Sequence, residues 1–138
     1  MGRADPTRKR AGARKLSPAL VTAVDAARGK KAVETVVLDL RRAAAFTDYF
    51  LICSGRSVRQ VKAIAEAVDV ALRASGLKPT LVEGYDRAEW ILMDYFDFVV
   101  HIFTPDTRRF YALERLWGNA ERHEFSEPDE PTEGGRRP

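Results

Sequence analysis

The run Asp48-Tyr49-Phe50-Leu51-Ile52-Cys53, broken by Gly55-Arg56-Ser57, constrains the fold of this chain more than any other feature. Nearly continuous apolar character over residues 48–53 suits a strand buried on both faces, and the break behind it suits a turn into a helix. Ser57 with Gln60 three residues on is a capping-box pattern. Val61, Ile64, Ala65, Val68 and Leu72 then recur at helical spacing until Gly76. A short strand at 80–83 follows. Strand, helix and strand from 48 to 83 imply a right-handed crossover between parallel strands.

The flanking segments extend this unit. Ser17-Pro18 reads as an N-cap followed by proline at the first helical position, with Leu20, Val21, Val24 and Ala27 on one face and Gly29 at the end. Residues 33–40 are β-branched and apolar, hence a strand. Residues 89–94 and 98–103 form a hairpin turned by Asp94-Tyr95-Phe96-Asp97. A last helix opens near Pro105-Asp106, with Phe110, Leu113, Leu116 and Trp117 as its apolar face. The expected fold class is α/β: a single domain over 17–120 with a mixed five-stranded sheet packed with helices.

Composition bounds the partners. Hydrophobic residues make up 45% and charged residues 31% of the 138, as in an ordinary globular domain, and no apolar run reaches membrane-spanning length. No apolar signal segment opens the chain, and the basic start is shorter and less Ser-rich than a transit peptide, so a cytoplasmic location is expected. The net charge of +3 is uneven: residues 1–16 hold six Arg or Lys against Asp5, a balance of +5, which leaves about −2 for the rest. Residues 1–16 thus read as a basic, disordered arm, and residues 121–138 as an acidic, disordered tail.

Catalytic patterns are thin. Cys53 has no partner cysteine and sits in an apolar run, as a buried thiol does. His101 lies in an apolar strand on the face of Val99 and Phe103, where a structural histidine is the commoner case. Two histidines and one cysteine do not make a zinc site. The Gly55-Arg56-Ser57 turn at a helix start could cradle a phosphate. Metal-assisted phosphoryl transfer also needs converging carboxylates. Asp69 has Ala71 two positions on, and Asp94 and Asp97 are three apart across a turn. No catalytic residue, metal or cofactor is expected, and a nucleotidyltransferase-like nucleotide-binding protein is the alternative reading. Interleaved carboxylates and rings at Glu83, Tyr85, Asp86, Glu89, Trp90, Asp94 and Tyr95, then Tyr111, Glu114 and Trp117, point instead to a protein interface. The balance of about −2 outside the arm suits a basic protein better than bare RNA.

In order and spacing, several pieces resemble the ribosomal silencing factor (Iojap-like) family over residues 37–120. They are Thr47-Asp48-Tyr49-Phe50, the stretch from Cys53 through Ser57 to Val61, Glu83-Gly84 with Glu89-Trp90, Asp94-Tyr95, the run from Asp97 to Phe103, and Arg109 to Trp117. The resemblance implies a nucleotidyltransferase-like fold without the catalytic carboxylates. It implies a non-enzymatic repressor that binds the large ribosomal subunit through ribosomal protein fourteen and blocks small-subunit joining, with a role in large-subunit biogenesis in some relatives. It also implies Trp90, Asp94, Tyr111, Glu114, Leu116 and Trp117 as interface candidates, with Glu83, His101 and Arg109 as weaker ones. A homodimer and a minor ribosomal-RNA contact through the basic arm are further candidates. One departure stands out: Phe96 occupies a turn position where the family tends to have glycine, so a turn of different shape is expected there.

Overall fold

The computed structural model describes residues 16–43 and 45–126; the arm at 1–15 and the tail beyond 126 lie outside them. Helix α1 spans Pro18–Gly29, capped by Ser17, whose Oγ accepts the Leu20 N–H at 3.2 Å. Strands β1 (Val33–Asp39) and β2 (Tyr49–Ser54) lead to α2 (Val58–Ala74). Then come β3 (Leu81–Glu83), β4 (Trp90–Asp94) and β5 (Phe98–Phe103), two short helices α3 (Pro105–Tyr111) and α4 (Leu113–Leu116), and β6 (Glu121–Phe125).

The sheet has six strands, not five, in the order β3-β4-β5-β2-β1-β6. The added strand falls in the segment read as the start of a disordered tail. Glu121-Arg122-His123-Glu124-Phe125 carries little apolar signal, because an edge strand is held by its backbone ladder, and charge on an edge suits solvent. It pairs antiparallel with β1, Val36 facing Glu124 and Leu38 facing Arg122. The crossover also lands elsewhere than expected. β2 finds its parallel neighbour in β5, Phe50 opposite Val99 and Ile52 opposite His101. β3 runs in the same direction as β2 but pairs with β4 at the far edge. The expected β4–β5 hairpin is present, Leu92 opposite His101.

Every residue of β2 and β5 is buried, as the apolar run demanded. Alternation then divides the core in two. On one face Tyr49, Leu51, Cys53, Phe98, Val100 and Ile102 meet the buried stripes of α1 and α2. On the other, Val36, Leu38, Phe50, Ile52, Val99 and Phe103 meet only half-buried residues, chiefly Trp90, Leu92, Leu113 and Trp117. Two long helices cover the first face. Two short ones of seven and four residues cover the second.

The last helix is broken, against expectation. Ala112 takes a left-handed conformation at φ 46°, ψ 52°, ending α3 and starting α4. The expected apolar face is broken with it: Phe110 is 79% and Leu116 71% exposed, while Leu113 and Trp117 turn inward. Gly84 shows where a side chain is excluded, since at φ +82° an added Cβ would stand 2.1 Å from the Trp90 carbonyl oxygen.

Candidate functional site

The second sheet face gathers most of the aromatic candidates. Strand alternation puts Trp90, Phe50, His101 and Phe103 side by side, and α3 adds Tyr111. The Trp90 and Tyr111 ring centroids are 4.6 Å apart, and Trp90 and Phe103 are 5.0 Å apart. Trp117 meets the Phe50 ring edge-on at 6.2 Å, and Phe50 meets His101 in the same way at 4.5 Å. Beneath them the Trp90 indole N–H donates to His101 Nδ1 at 3.1 Å. His101 therefore carries its proton on Nε2, which is buried without a hydrogen-bond partner. Burial holds its pKa down at about 4, so the ring is neutral and serves the aromatic layer.

Glu114 belongs to a different arrangement. Its Oε2 accepts from Arg108 Nη2 at 2.7 Å and from Nε at 3.1 Å. Arg108, almost fully buried, also donates to Ser54 Oγ at 2.9 Å and to the Glu34 carbonyl at 2.9 Å. That carbonyl is turned toward it by an irregularity in β1, where Glu34 has φ 52°. Burial alone would raise the Glu114 carboxyl, but hydrogen bonds and charge from Arg108 outweigh it and hold the group below its ordinary value. One guanidinium thus ties α3 to β1, β2 and α4. Nothing in α4 is buried, so this pair and the Leu113 and Trp117 side chains are what hold that limb.

Arg108 was missed by sequence reasoning. In an unbroken helix, residues six apart lie about 240° around the axis, so no local rule pairs it with Glu114. Only the left-handed residue at 112 brings them together.

The remaining candidates scatter. Asp94 shares the aromatic face, at the other end of β4 from Trp90, and its Oδ1 accepts the Phe96 N–H at 2.8 Å. The hairpin turn keeps a positive φ, contrary to the different shape expected of it: Phe96 itself adopts φ 73°. Leu116 is exposed on α4. Arg109 is exposed and paired with Asp106. Glu83 lies on the exposed edge strand β3, opposite Leu92.

The other groups with chemistry lie away from this face or are engaged within the fold. Around the Gly55–Ser57 turn, Gly55 N–H is spent on the Phe103 carbonyl, Arg56 N–H on Gln60 Oε1 at 2.6 Å and Gln60 N–H on Ser57 Oγ at 3.1 Å. A phosphate reaching for the Gly55, Arg56 or Gln60 N–H would have to displace these bonds. Cys53 is buried, and burial pushes its thiol up to about 12, far from a reactive thiolate. A cleft of about 650 Å³ between α3–α4 and the β1–β6 edge carries Arg108, Arg109, Arg115 and Arg122, but Glu34, Glu114 and Glu124 line it too. No group of three or more His, Cys, Asp or Glu able to hold a metal is gathered among the described residues. No helix among them is long and apolar enough to cross a membrane.

Comparison with known proteins meets this geometry. The sequence profile of a family described as "Ribosomal silencing factor during starvation" matches residues 14–138. A ribosomal silencing factor of Halalkalibacterium halodurans is 43% identical over 101 residues, covering 73% of this chain and 86% of that protein. A mouse protein named for mitochondrial assembly of the ribosomal large subunit is 31% identical over 93 residues, 65% of this chain and 41% of its own length. The crystal structure of a Chromobacterium violaceum protein superposes with a TM-score of 0.71 at 34% identity, covering 72% of this chain and 83% of that one.

Proposed function

From the fact that this chain belongs to the ribosomal silencing factor family, we propose that it docks on the large ribosomal subunit through its second sheet face and, by occupying that place, keeps the small subunit from joining. The observation that carries the reading is the uneven covering of the sheet. Trp90, Tyr111 and Trp117 are gathered over a half-covered face, with Tyr111 left half exposed and Leu116 largely exposed. Rings packed against one another, with exposed neighbours, are what central interface contacts require.

The partner that the family resemblance implies is ribosomal protein fourteen. Residues 17–120 are close to neutral, with 14 Arg or Lys against 13 Asp or Glu, so the gathered rings rather than net charge support the fit to that partner. The mechanism is occlusion and needs no chemistry: no nucleotide is bound and no bond is made. The large-subunit role in the mouse relative's name supports the same subunit, and a part in its assembly belongs to the same proposal.

The test uses the full chain and purified subunits. The protein co-sediments with free large subunits, is missing from joined ribosomes, and lowers the yield of joined particles without nucleotide. Undiminished joining at saturating protein would overturn the reading.

A further inference from the structure

The docking limb at α3–α4 is small. Seven helical residues rise only about 10 Å. A stable interface covers roughly 800 Å² per partner, a patch some 28 Å across. The second sheet face supplies the missing extent, because its rings do not stop at Trp90. From His101 the row continues to Phe50 at 4.5 Å and from Phe50 to Phe46 at 6.4 Å, in the loop that joins β1 to β2. Phe46 is 77% exposed.

At the same end of the sheet, the β4–β5 turn puts forward a second ring. Phe96 is 74% exposed. It adopts φ 73°, a conformation that side-chain-bearing residues avoid and glycine takes freely. Two hydrogen bonds join the loops: Thr47 Oγ1 donates to the Phe96 carbonyl at 2.9 Å, and Asp48 N–H donates to the Asp97 carbonyl at 3.1 Å. Asp48 and Asp97 lie in the same two loops, and Asp94 Oδ1 accepts the Phe96 N–H at 2.8 Å. On the cationic side stand Arg42 and Arg41, the latter held by Asp39 at 2.7 Å. The tip is acidic and aromatic, and it bears a strained phenylalanine that packing does not require.

We propose that Phe46 and Phe96, with Asp48 and Asp97, form a second contact patch for a cationic protein surface of the large ribosomal subunit, about one strand length from Tyr111. The patch rests on the docking reading and extends it. A single flat, basic partner spans both ends of the face, with the row of rings between them.

The experiment measures binding of the full chain to purified large subunits for Phe46→Ser, Phe96→Gly and the double variant, beside Tyr111→Ala. Thermal melting and sedimentation of each chain alone accompany it. The expected result is about tenfold weaker binding for each single change and more for the double, with melting unchanged or raised. Asp48→Lys with Asp97→Lys slows association and flattens its salt dependence. If the double variant binds like the parent while Tyr111→Ala does not, the patch is refuted and the docking reading stands. If the parent itself does not bind, both fall. If the parent sediments as a dimer that Phe46→Ser dissociates, the occupant is a second copy of this chain and the ribosomal assignment is overturned.

Discussion

Trp90 and His101 form a diagonal pair on one face of the β4–β5 hairpin, Trp90 opposite Phe103 and His101 opposite Leu92, and share one hydrogen bond, indole N–H to imidazole Nδ1 at 3.1 Å. The bond joins a ring of the proposed docking face to a histidine that packing keeps neutral. Its consequence is a pH dependence with a definite sign.

His101 has a folded pKa of about 4, below its ordinary 6.5, so between these values the unfolded chain binds more protons than the folded one. Stability is therefore complete above about pH 6.5 and falls as pH drops toward 4, by about 3 kcal/mol over the window. Denaturant unfolding measured from pH 7.5 to 4 shows this slope. His101→Gln, which keeps an acceptor for the Trp90 indole, removes most of it.

The Arg108–Glu114 pair predicts strong coupling. Removing either partner alone leaves a buried or half-buried charge, so Arg108→Met costs about 3 kcal/mol of stability. Arg108→Met with Glu114→Leu costs less than the sum of the single changes. Because Glu114 is held below its ordinary value by Arg108, the contribution of the pair is present above the unfolded carboxyl range and is lost as pH falls through the folded value. A double-mutant cycle followed by thermal melting checks both statements.

Tyr111→Ala leaves the fold nearly intact, since the ring is half exposed, but weakens large-subunit binding by about thirtyfold, the loss of about 2 kcal/mol at a central contact. Trp117→Ala does the same with a lower melting temperature, because Trp117 also packs against Phe50. Equal binding by a folded Tyr111→Ala chain removes that residue from the site.

Phe96→Gly raises stability by up to about 1 kcal/mol, several degrees in melting temperature, by relieving a left-handed phenylalanine. The same change at an ordinary strand position destabilises. Unchanged melting means that the turn carries no strain.

Much of this was legible in the residues. The apolar runs that became β2 and β5, the Ser17 and Ser57 caps and the stripe of α2 are local patterns with local causes, and periodicity reports them. The aromatic face was legible in part: the resemblance singled out Trp90, Tyr111 and Trp117, and strand alternation placed His101 beside Phe103. What was misread depends on contacts distant in sequence. β6 exists because β1 offered a free edge, a fact that no pattern within residues 121–125 records.

The amino-acid sequence by itself determined which of the apolar runs are buried, where the first three helices begin, and that the chain is an α/β domain of this family, since burial and capping are set by neighbours a few positions away. Only the tertiary structure decided that Glu114 answers to Arg108 rather than to solvent, that the last helix breaks at Ala112, and that Phe46 and Phe96 come to one end of the sheet. Each of these joins residues across loops, where the outcome depends on how strands pair in space and not on the spacing between them.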